Sequence, residues 1–302
     1  MNPQDLFHHL GGALAEFPAL PAAVHKTGAG TPYLTRPGVA LISKPQVQFA
    51  GMQPFFDGFE AALEFNRYLE DDAPLPSGTQ LCKVAGQTCY ASFSPKRTMN
   101  AHAGRYFQNL MSSGHGSVLE HANYSFFLYG LSRSLTHEMI RHRAGFGYSQ
   151  LSQRYVSGRV LRFAERPEFQ DAGELHQKFL QRIDRAYAEY HELADKLLQA
   201  QAAGTAILTA EAKTDLRKKV NQAARAVLPN ETETLLVATA NVRAWRHFIE
   251  MRASDHSEVE IRTLAVRVFL CLRFIEPVLF GDYELKTLPD GTHSVATATA
   301  KV

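Results

Sequence analysis

The order of the apolar segments most constrains what this chain can fold into. Short runs typical of strands mostly come before the long helical runs, which fill the second half of the chain. Strands that precede helices instead of alternating with them favour an α+β fold over a repeated βαβ unit. The chain has 302 residues with no evident linker or internal repeat, so the sequence predicts one domain.

Hydrophobic periodicity assigns the elements to particular stretches. Strands are predicted at 38–43, 123–132, 155–163 and 232–240. Helices are predicted at 56–70, 98–114, 134–143, 167–203, 212–228, 242–252 and 257–277. The stretch 81–93 fits either a helix or a strand. Residues 1–35 show no sustained period and are interpreted as an N-terminal extension of the domain at 36–283, and the tail at 284–302 is expected to be frayed and flexible.

The bulk composition excludes several classes of protein. Lys and Arg number 32 against 30 Asp and Glu, so the net charge is only +2 and a general nucleic-acid-binding surface is not expected. No apolar run approaches the roughly 20 residues of a membrane helix, and the N-terminus lacks the basic start of a signal peptide. The three cysteines lack CxxC spacing and are interpreted as reduced thiols. We therefore expect a soluble, cytoplasmic protein that contacts no membrane.

The segment at 141–155, RHRAGFGYSQLSQRY, combines cations, glycines and hydrogen-bonding side chains. As the last turn of the predicted helix, the basic triplet 141–143 would compensate the helix dipole. The glycines that follow allow the backbone to approach a ligand closely, and the stretch 149–154 supplies amide, hydroxyl and guanidinium donors. Because arginine binds phosphate in a bidentate manner, the segment predicts a local anion site.

A second cationic cluster lies in NVRAWRHFIEMR, where Asn241 can cap the helix at 242–252. Arg243 and His247 are four residues apart and share one helical face. Arg252 lies about 180° around the helix from Arg243. The helix therefore presents cations to two different places, while its apolar residues face the core.

Other catalytic signatures are weak. HEMIRH is one residue too long for a zinc-binding HExxH, because His137 and His142 would stand about 140° apart on a helix. No GxSxG elbow supports a serine hydrolase. Cysteine catalysis stays open in principle, but none of the three thiols lies in a recognisable signature.

Several separate motifs together resemble the family of flavin-dependent thymidylate synthases. HGSVLEH (115–121), RHR followed by SQLSQRY, ARAVLP (224–229) and the segment 241–262 occur in the order typical of that family. The match covers roughly residues 80–282. The resemblance implies an α+β domain, with a mixed sheet flanked by long helices, that assembles as a homotetramer with shared active sites. It further implies transfer of a one-carbon unit from methylenetetrahydrofolate to C5 of dUMP, with FAD as hydride carrier, NADPH as reductant and no metal.

The resemblance also implies roles for individual positions. Those expected to contact FAD are Ser117, Arg141, His142, Arg143, Gln150, Asn241, Val242, Arg243 and His247. Those expected to contact dUMP are Glu138, Met139, Ile140, Arg141, Gln150, Leu151, Ser152, Gln153, Arg154, Arg225 and Arg252. Arg252 matches the catalytic residue that assists ionisation at N3 of the pyrimidine, and a guanidinium there would stabilise the anion that makes C5 nucleophilic.

Two features depart from the family pattern and leave alternatives open. The spacer between RHR and the serine of SQRY is one residue longer than usual, and Glu138 stands where Gln is common. The nearest alternative is therefore a related flavoenzyme that methylates another pyrimidine nucleotide, such as UMP. A more distant alternative, from another class, is a nucleic-acid-binding module that uses RHR and SQR as a basic patch. It predicts a colourless protein whose affinity falls steeply with salt.

Overall fold

A computed structural model, which describes residues 2–171, 173–204 and 213–299, places a five-stranded antiparallel sheet at the centre of the fold. The strands are β1 (Ala19–Leu20), β2 (Val24–Lys26), β3 (Pro32–Leu34), β4 (Gly38–Ser43), β5 (Asn123–Ser132), β6 (Phe146–Gln150), β7 (Phe163–Ala164), β8 (Glu233–Asn241), β9 (Glu284–Thr287) and β10 (His293–Ala296). The helices are α1 (Pro3–His9), α2 (Gln53–Asp57), α3 (Ser77–Cys89), α4 (Ala103–Ser112), α5 (Arg133–Met139), α6 (Glu174–Ala202), α7 (Lys213–Ala224), α8 (Val242–Arg252) and α9 (Val259–Ile275). The central sheet has the order β1-β4-β5-β8-β6.

The two longest strands, β5 and β8, form the middle of this sheet because every second side chain on each is apolar and buried. They pair antiparallel with Phe127 opposite Val237. β6 pairs with the other edge of β8, where Tyr148 lies opposite Ala238. The register places the start of β5, the start of β6 and the end of β8 at the same edge of the sheet, because Asn123 lies opposite Asn241 and Phe146 opposite Ala240.

α8 is fixed against the sheet by aromatic packing. Trp245 is fully buried, and its ring lies 5.2 Å from that of Phe126 on β5 and 4.9 Å from that of Phe146 on β6. The rings meet edge to face, which is a favourable aromatic geometry. The indole N–H also donates to the carbonyl of Tyr124. This packing sets the direction in which the opposite face of α8 presents its polar side chains.

A buried carboxylate joins three elements at the far end of the core. Glu276, just after α9, accepts hydrogen bonds from the backbone N–H groups of Gly78 and Thr79 at the start of α3. It also accepts from the hydroxyl groups of Thr79 and Tyr124, at 2.6 Å in each case. An acid at the N-terminus of a helix satisfies orphan N–H groups and complements the dipole.

The N-terminal segment is integrated into this fold. β1 adds to the sheet edge at β4, with Leu20 opposite Val39. Leu6 and Phe7 on α1 are buried in the main core, and the Phe7 ring stacks on Phe274 at the end of α9. The extension therefore covers an edge strand that would otherwise expose its unpaired backbone groups.

Many of the predicted elements are confirmed. β4, β5 and β8 occupy the predicted strand positions, and α4, α6, α8 and α9 lie inside the predicted helices. Asn241 caps α8, because its side-chain oxygen accepts from the N–H of Ala244. The ambiguous stretch at 81–93 belongs mainly to α3. Helix and sheet combine in a single domain, in agreement with the expected α+β class. For the helix predicted at 212–228, α7 ends at Ala224 and a 3-10 turn follows, while residue 212 lies outside the described residues.

Three local predictions were wrong. The segment 56–70 is no continuous helix: α2 ends at Asp57 and two 3-10 turns follow, because Phe56 and Tyr68 pack with Phe93 in a small aromatic cluster of their own. The segment 155–163 contains a 3-10 turn, and a strand begins only at Phe163. The helix predicted at 134–143 ends at Met139.

The C-terminal segment also differs from the expected frayed tail. β9 and β10 pair as a hairpin in which Val295 is buried. Thr297 and Thr299 then donate from their hydroxyl groups to the carboxylate of Asp282. The hairpin therefore packs on the body through both apolar and polar contacts. Within the described part of the chain, no helix has the length and apolarity needed to cross a bilayer.

Replacing Glu276 with Ala should lower the free energy of unfolding by about 3 kcal/mol, because four buried donors would lose their acceptor. Urea denaturation measures this change. Glu284→Ala, which removes an exposed carboxylate from β9, is the matched control and should change stability by no more than about 0.5 kcal/mol. Equal effects of the two substitutions would contradict the proposed role of Glu276.

Candidate active site

The turn between α5 and β6 carries the RHR triplet. Ser132 caps α5 by accepting from the N–H of Leu135, and the helix ends at Met139. The triplet therefore lies in the turn after the helix, and not in its last turn as predicted. The hydroxyl of Tyr148 donates to the carbonyls of Met139 and His142, so carbonyls that another helical turn would have used are satisfied from β6.

Gly145 lets this turn approach the start of α8. Its φ of +74° favours glycine, and a Cβ there would lie 2.9 Å from the Cβ of Ala244 and 3.0 Å from the side chain of Asn241. A larger residue would push the turn away from the helix. The glycine that follows the basic triplet thus lies against the N-terminus of α8, although 96 residues separate Gly145 from Asn241.

Arg252, the last residue of α8, is held by one residue from the end of α5 and one from the turn that follows it. Its Nε donates to Nε2 of His142 at 2.9 Å, and its Nη1 lies 2.7 Å from Oε2 of Glu138. The side chain is only 18% exposed. Two directional contacts and burial together fix the plane of the guanidinium. A flexible surface arginine would have no such fixed orientation.

His142 is neutral in this arrangement. Burial lowers its pKa to about 4, and the nearby cations Arg252, His247 and Arg141 add to the effect. Because Arg252 donates to Nε2, that nitrogen must be the acceptor and the ring proton must lie on Nδ1. The imidazole therefore serves as a hydrogen-bond acceptor for Arg252 and not as a cation for an anionic ligand.

Glu138 lies between opposing influences. Burial raises the pKa of its carboxyl, as does the neighbouring carboxyl of Glu258, whereas Arg252 and Arg141 lower it, and the net shift is upward. The carboxylate is turned onto Arg252. The departure from the more common Gln at this position thus has a structural account, since Glu138 is paired with a guanidinium.

A second group of polar residues covers the other face of α8. Arg243 and His247 are both exposed there, as their spacing predicts, and Arg243 pairs with Glu120. Glu120 belongs to the 3-10 turn at Gly116–Glu120, which also carries the exposed Ser117. The His247 ring lies 5.6 Å from that of His142. Arg141 and Arg143, both exposed, extend the same polar surface.

A third group follows β6. The amide of Gln150 donates to the hydroxyls of Thr136 and Thr234, each at 3.3 Å. The loop after it, at 151–156, is connected to α7 because the amide of Asn221 donates to two of its carbonyls. Arg154 lies in this loop over the ring of Tyr155, and its buried Nε has no hydrogen-bond partner among the described residues.

Arg225 lies in the turn just after α7. The pKa of Arg133 is lowered mainly by burial and further by the nearby charge of Arg225. Sequence reasoning missed Arg133. It is the first residue of α5 and shares a helical face with Thr136, the partner of Gln150, so the i, i+3 spacing was an available signal. Neither arginine forms an ion pair with a described residue, and two such neighbouring cations are suited to an anionic group.

The remaining predicted residues are distributed unevenly. Met139 and Val242 are fully buried, so only their backbone atoms are available to a ligand, and the Val242 N–H already donates to Ala122. Ile140 is 42% exposed beside the triplet. Leu151, Ser152 and Gln153 are half-buried in the loop before Arg154.

The cysteines lie away from this chemistry. Cys82 and Cys271 are fully buried in the main core, and burial raises the pKa of each thiol to about 12. A thiol with such a pKa is a poor nucleophile at neutral pH. Cys89 is exposed on the last turn of α3. The geometry thus agrees with the absence of a cysteine signature in the sequence.

Comparisons with known proteins agree on one family. The sequence family described as "Thymidylate synthase complementing protein" matches residues 73–278. Proteins named flavin-dependent thymidylate synthase from Mycobacterium tuberculosis and Mycobacterium bovis are 48% identical to this chain over 223 residues, which is 73% of this chain and 85% of each relative. A relative of the same name from Mycobacterium avium is 47% identical over the same length.

One solved structure has a similar fold. It is a UMP/dUMP methylase, PolB from Streptomyces cacaoi, bound with 5-Br dUMP. The two structures superpose with a TM-score of 0.55 over 82% of this chain and 94% of that chain, at 20% sequence identity. At this identity the likeness supports the overall fold.

The ring of His142 should titrate near pH 4, well below its ordinary value of 6.5. Because the unfolded chain binds this proton at higher pH than the folded chain, the stability contributed by the neutral ring should decline as the pH falls from 6.5 towards 4. NMR titration of the imidazole measures the midpoint. In Arg252→Met the midpoint should rise, since a neighbouring cation is removed while the burial remains. A wild-type midpoint near 6.5 would contradict the arrangement.

Proposed function

Because the chain belongs to the family of flavin-dependent thymidylate synthases, we propose that it methylates dUMP reductively at C5 to give dTMP. Methylenetetrahydrofolate is the one-carbon donor and NADPH the reductant. The observation that carries the assignment of the reacting centre is Arg252, held by Glu138 and His142 beside the RHR turn.

The residues of the polar surface at α8 suit FAD. Arg141, Arg143 and His247 are exposed and, with the hydroxyl of Ser117, supply donors for a diphosphate. The N-terminus of α8 adds its dipole, which favours an anion. The proposed FAD contacts are Ser117, Arg141, His142, Arg143, Gln150, Asn241, Val242, Arg243 and His247, with Val242 contributing through backbone only. When bound, FAD supplies the hydride-transfer chemistry that no amino-acid side chain provides.

The cations at the other end of β6 suit the phosphate of dUMP. Arg225 and Arg154 were proposed from the sequence, and Arg133 joins them on the observed geometry. The amide of Gln150, held by two threonine hydroxyls, would orient the nucleotide between phosphate and base. The proposed dUMP contacts are Glu138, Met139, Ile140, Arg141, Gln150, Leu151, Ser152, Gln153, Arg154, Arg225 and Arg252.

Arg252 would act at the pyrimidine. A guanidinium beside the N3–O4 edge stabilises negative charge there, and this charge makes C5 nucleophilic. Arg252 can do this only with a fixed direction, which His142 provides by accepting from Nε. Glu138 occupies Nη1 here, so binding of the base would require its carboxylate to turn aside or to be protonated. The upward shift of the Glu138 pKa lowers the cost of protonation.

The nearest alternative substrate is UMP. It is favoured by the similar fold of the UMP/dUMP methylase. The relatives at 48% identity are named thymidylate synthases, so dUMP remains the first choice. Tritium release from 5-labelled dUMP and from 5-labelled UMP separates the two candidates, because only a nucleotide that is methylated loses the label.

We further infer a homotetramer whose active sites draw residues from more than one subunit. In the described residues of one chain, Arg252 contacts Glu138 and His142, whereas Arg154 and Arg225 lie beside other partners. The flavin-dependent thymidylate synthase-like catalytic domain would span 36–283, with 1–35 as an extension and 284–302 as a C-terminal addition. The charged co-substrates are metabolites of the cytoplasm, where we expect the enzyme to act.

Replacing Arg252 with Ala should reduce dUMP-dependent NADPH oxidation by about 10²–10³-fold, because charge at N3–O4 would no longer be stabilised. A triple Cys→Ala variant at Cys82, Cys89 and Cys271 is the comparison and should retain most of the turnover. Spectrophotometric assays of both folded variants measure the difference. Loss of turnover in the folded cysteine variant would show that the assignment of the chemistry is wrong.

Reassembly of two inactive variants tests the shared sites. Arg154→Ala and Arg252→Ala should each be inactive alone. If one subunit supplies Arg154 and another supplies Arg252, unfolding and reassembling them together creates some sites without a substitution, and part of the turnover should return. Turnover is measured against the mixing ratio, with each variant reassembled alone as a control. Background turnover at every ratio would contradict sharing of these two arginines.

A further inference from the structure

A second cleft lies between the N-terminal extension, α9 and the C-terminal hairpin. Its volume is about 380 Å³, which falls in the usual range for small-molecule sites. Arg36 and Arg267 line it, together with the imidazoles of His9 and His293. It contains none of the residues proposed to bind FAD or dUMP. The cleft therefore needs an account of its own.

Arg267 is the unusual residue in this cleft. It is only 1% exposed in the middle of α9. Its Nη2 donates to the carbonyl of Pro21 at 2.8 Å, while Nε and Nη1 have no hydrogen-bond partner among the described residues. A buried guanidinium with unused donors is costly, because its charge and its N–H groups have both lost water.

Among the described residues, no carboxylate forms an ion pair with this guanidinium. Burial lowers the pKa of Arg267 to about 10, and the nearby cation Arg36 lowers it further, while only Cys271 and Tyr129 act in the opposite direction. A thiol and a phenol carry no full negative charge at neutral pH. Arg36 itself is exposed, and no ion pair joins it to another described residue.

The two acids that line the cleft are already occupied. Both oxygens of Glu260 accept from Ser132, one from its N–H and the other from its hydroxyl. Glu165 is paired with Nδ1 of His176. The cleft thus combines two arginines with carboxylates that bind other partners, and neither carboxylate forms an ion pair with Arg36 or Arg267 among the described residues.

We propose that this cleft binds a phosphate-bearing small molecule, with the phosphate group on Arg36 and Arg267. Two guanidinium groups that line one cleft match the charge and the several acceptor oxygens of a phosphate. Thr35 lines the same cleft, and its hydroxyl can donate further. Leu10 and Val266 supply apolar lining, and the volume exceeds that of a phosphate group alone. Room therefore remains for an organic part of the ligand.

The N-terminal part of the chain contributes several residues to the cleft. Arg36 and the preceding residues of the cleft lie before residue 73, where the match to the family begins. Arg267 in turn anchors the extension through Pro21. A ligand here would contact both the N-terminal segment and α9, and would thereby couple that segment to α9.

Isothermal titration of the complete protein with inorganic phosphate, and separately with adenosine 5′-monophosphate, tests the proposal. Arg36→Gln and Arg267→Met should each weaken phosphate binding by about tenfold or more, since each removes a bidentate donor. Arg36 is exposed, so its substitution does not depend on repacking the core around α9. Arg185→Gln, at an exposed arginine on α6, is the matched control and should bind like the wild type.

Arg225→Ala separates this cleft from the candidate active site, where phosphate would also meet cations. Binding that persists in Arg225→Ala and is lost in Arg36→Gln supports the proposal. If the nucleotide binds more tightly than phosphate and its binding also depends on Arg36, the ligand is an organic phosphate. If phosphate binds more tightly, the ligand is free phosphate. No binding to the wild type at millimolar phosphate, or binding that only Arg225→Ala abolishes, would overturn it.

Discussion

The guanidinium of Arg252, held by the carboxylate of Glu138 and the imidazole of His142, is the interaction on which the rest of the site depends. It joins the end of α8 to the turn after α5 across 110 residues of sequence. It also sets the state of its partners, because an imidazole that accepts from a guanidinium must be neutral at that nitrogen. The RHR triplet is therefore divided in function. Its two arginines remain exposed cations, and its histidine aligns a third arginine.

The scaffold explains why this arrangement can be both tight and accessible. β8 lies between β5 and β6, so the connections that carry the site emerge from neighbouring strands. Trp245 fixes α8 against two of these strands, and Gly145 allows the turn to touch the cap of α8 at Asn241. Polar side chains on rigid elements keep their geometry better than side chains on loops. The core thus fixes the orientation of the site, and a few residues at its edge supply the reactivity.

Sequence patterns predicted the elements whose pattern is local. β5 and α8 were found because alternation, helical period and an Asn cap are all contained in a short window. The end of α5 was missed because it depends on Tyr148, which satisfies the carbonyls of the turn from another strand. The helix predicted at 56–70 was wrong for a similar reason. Phe93, which lies outside this segment, packs with its aromatic residues in a separate cluster. The contact of Arg252 with His142 is equally long-range, so the motifs identified both residues but not their partnership.

The central claim is that the exposed cations of the RHR turn and of α8 form one surface that holds FAD next to Arg252. Its most direct test is the flavin content of the purified protein, measured from its visible absorbance after reconstitution with FAD. The account predicts a yellow wild-type protein, marked loss of FAD in Arg143→Ala and His247→Ala, and full retention in Arg185→Ala. A wild-type protein that stays colourless, or full retention of FAD in both site variants, would contradict it.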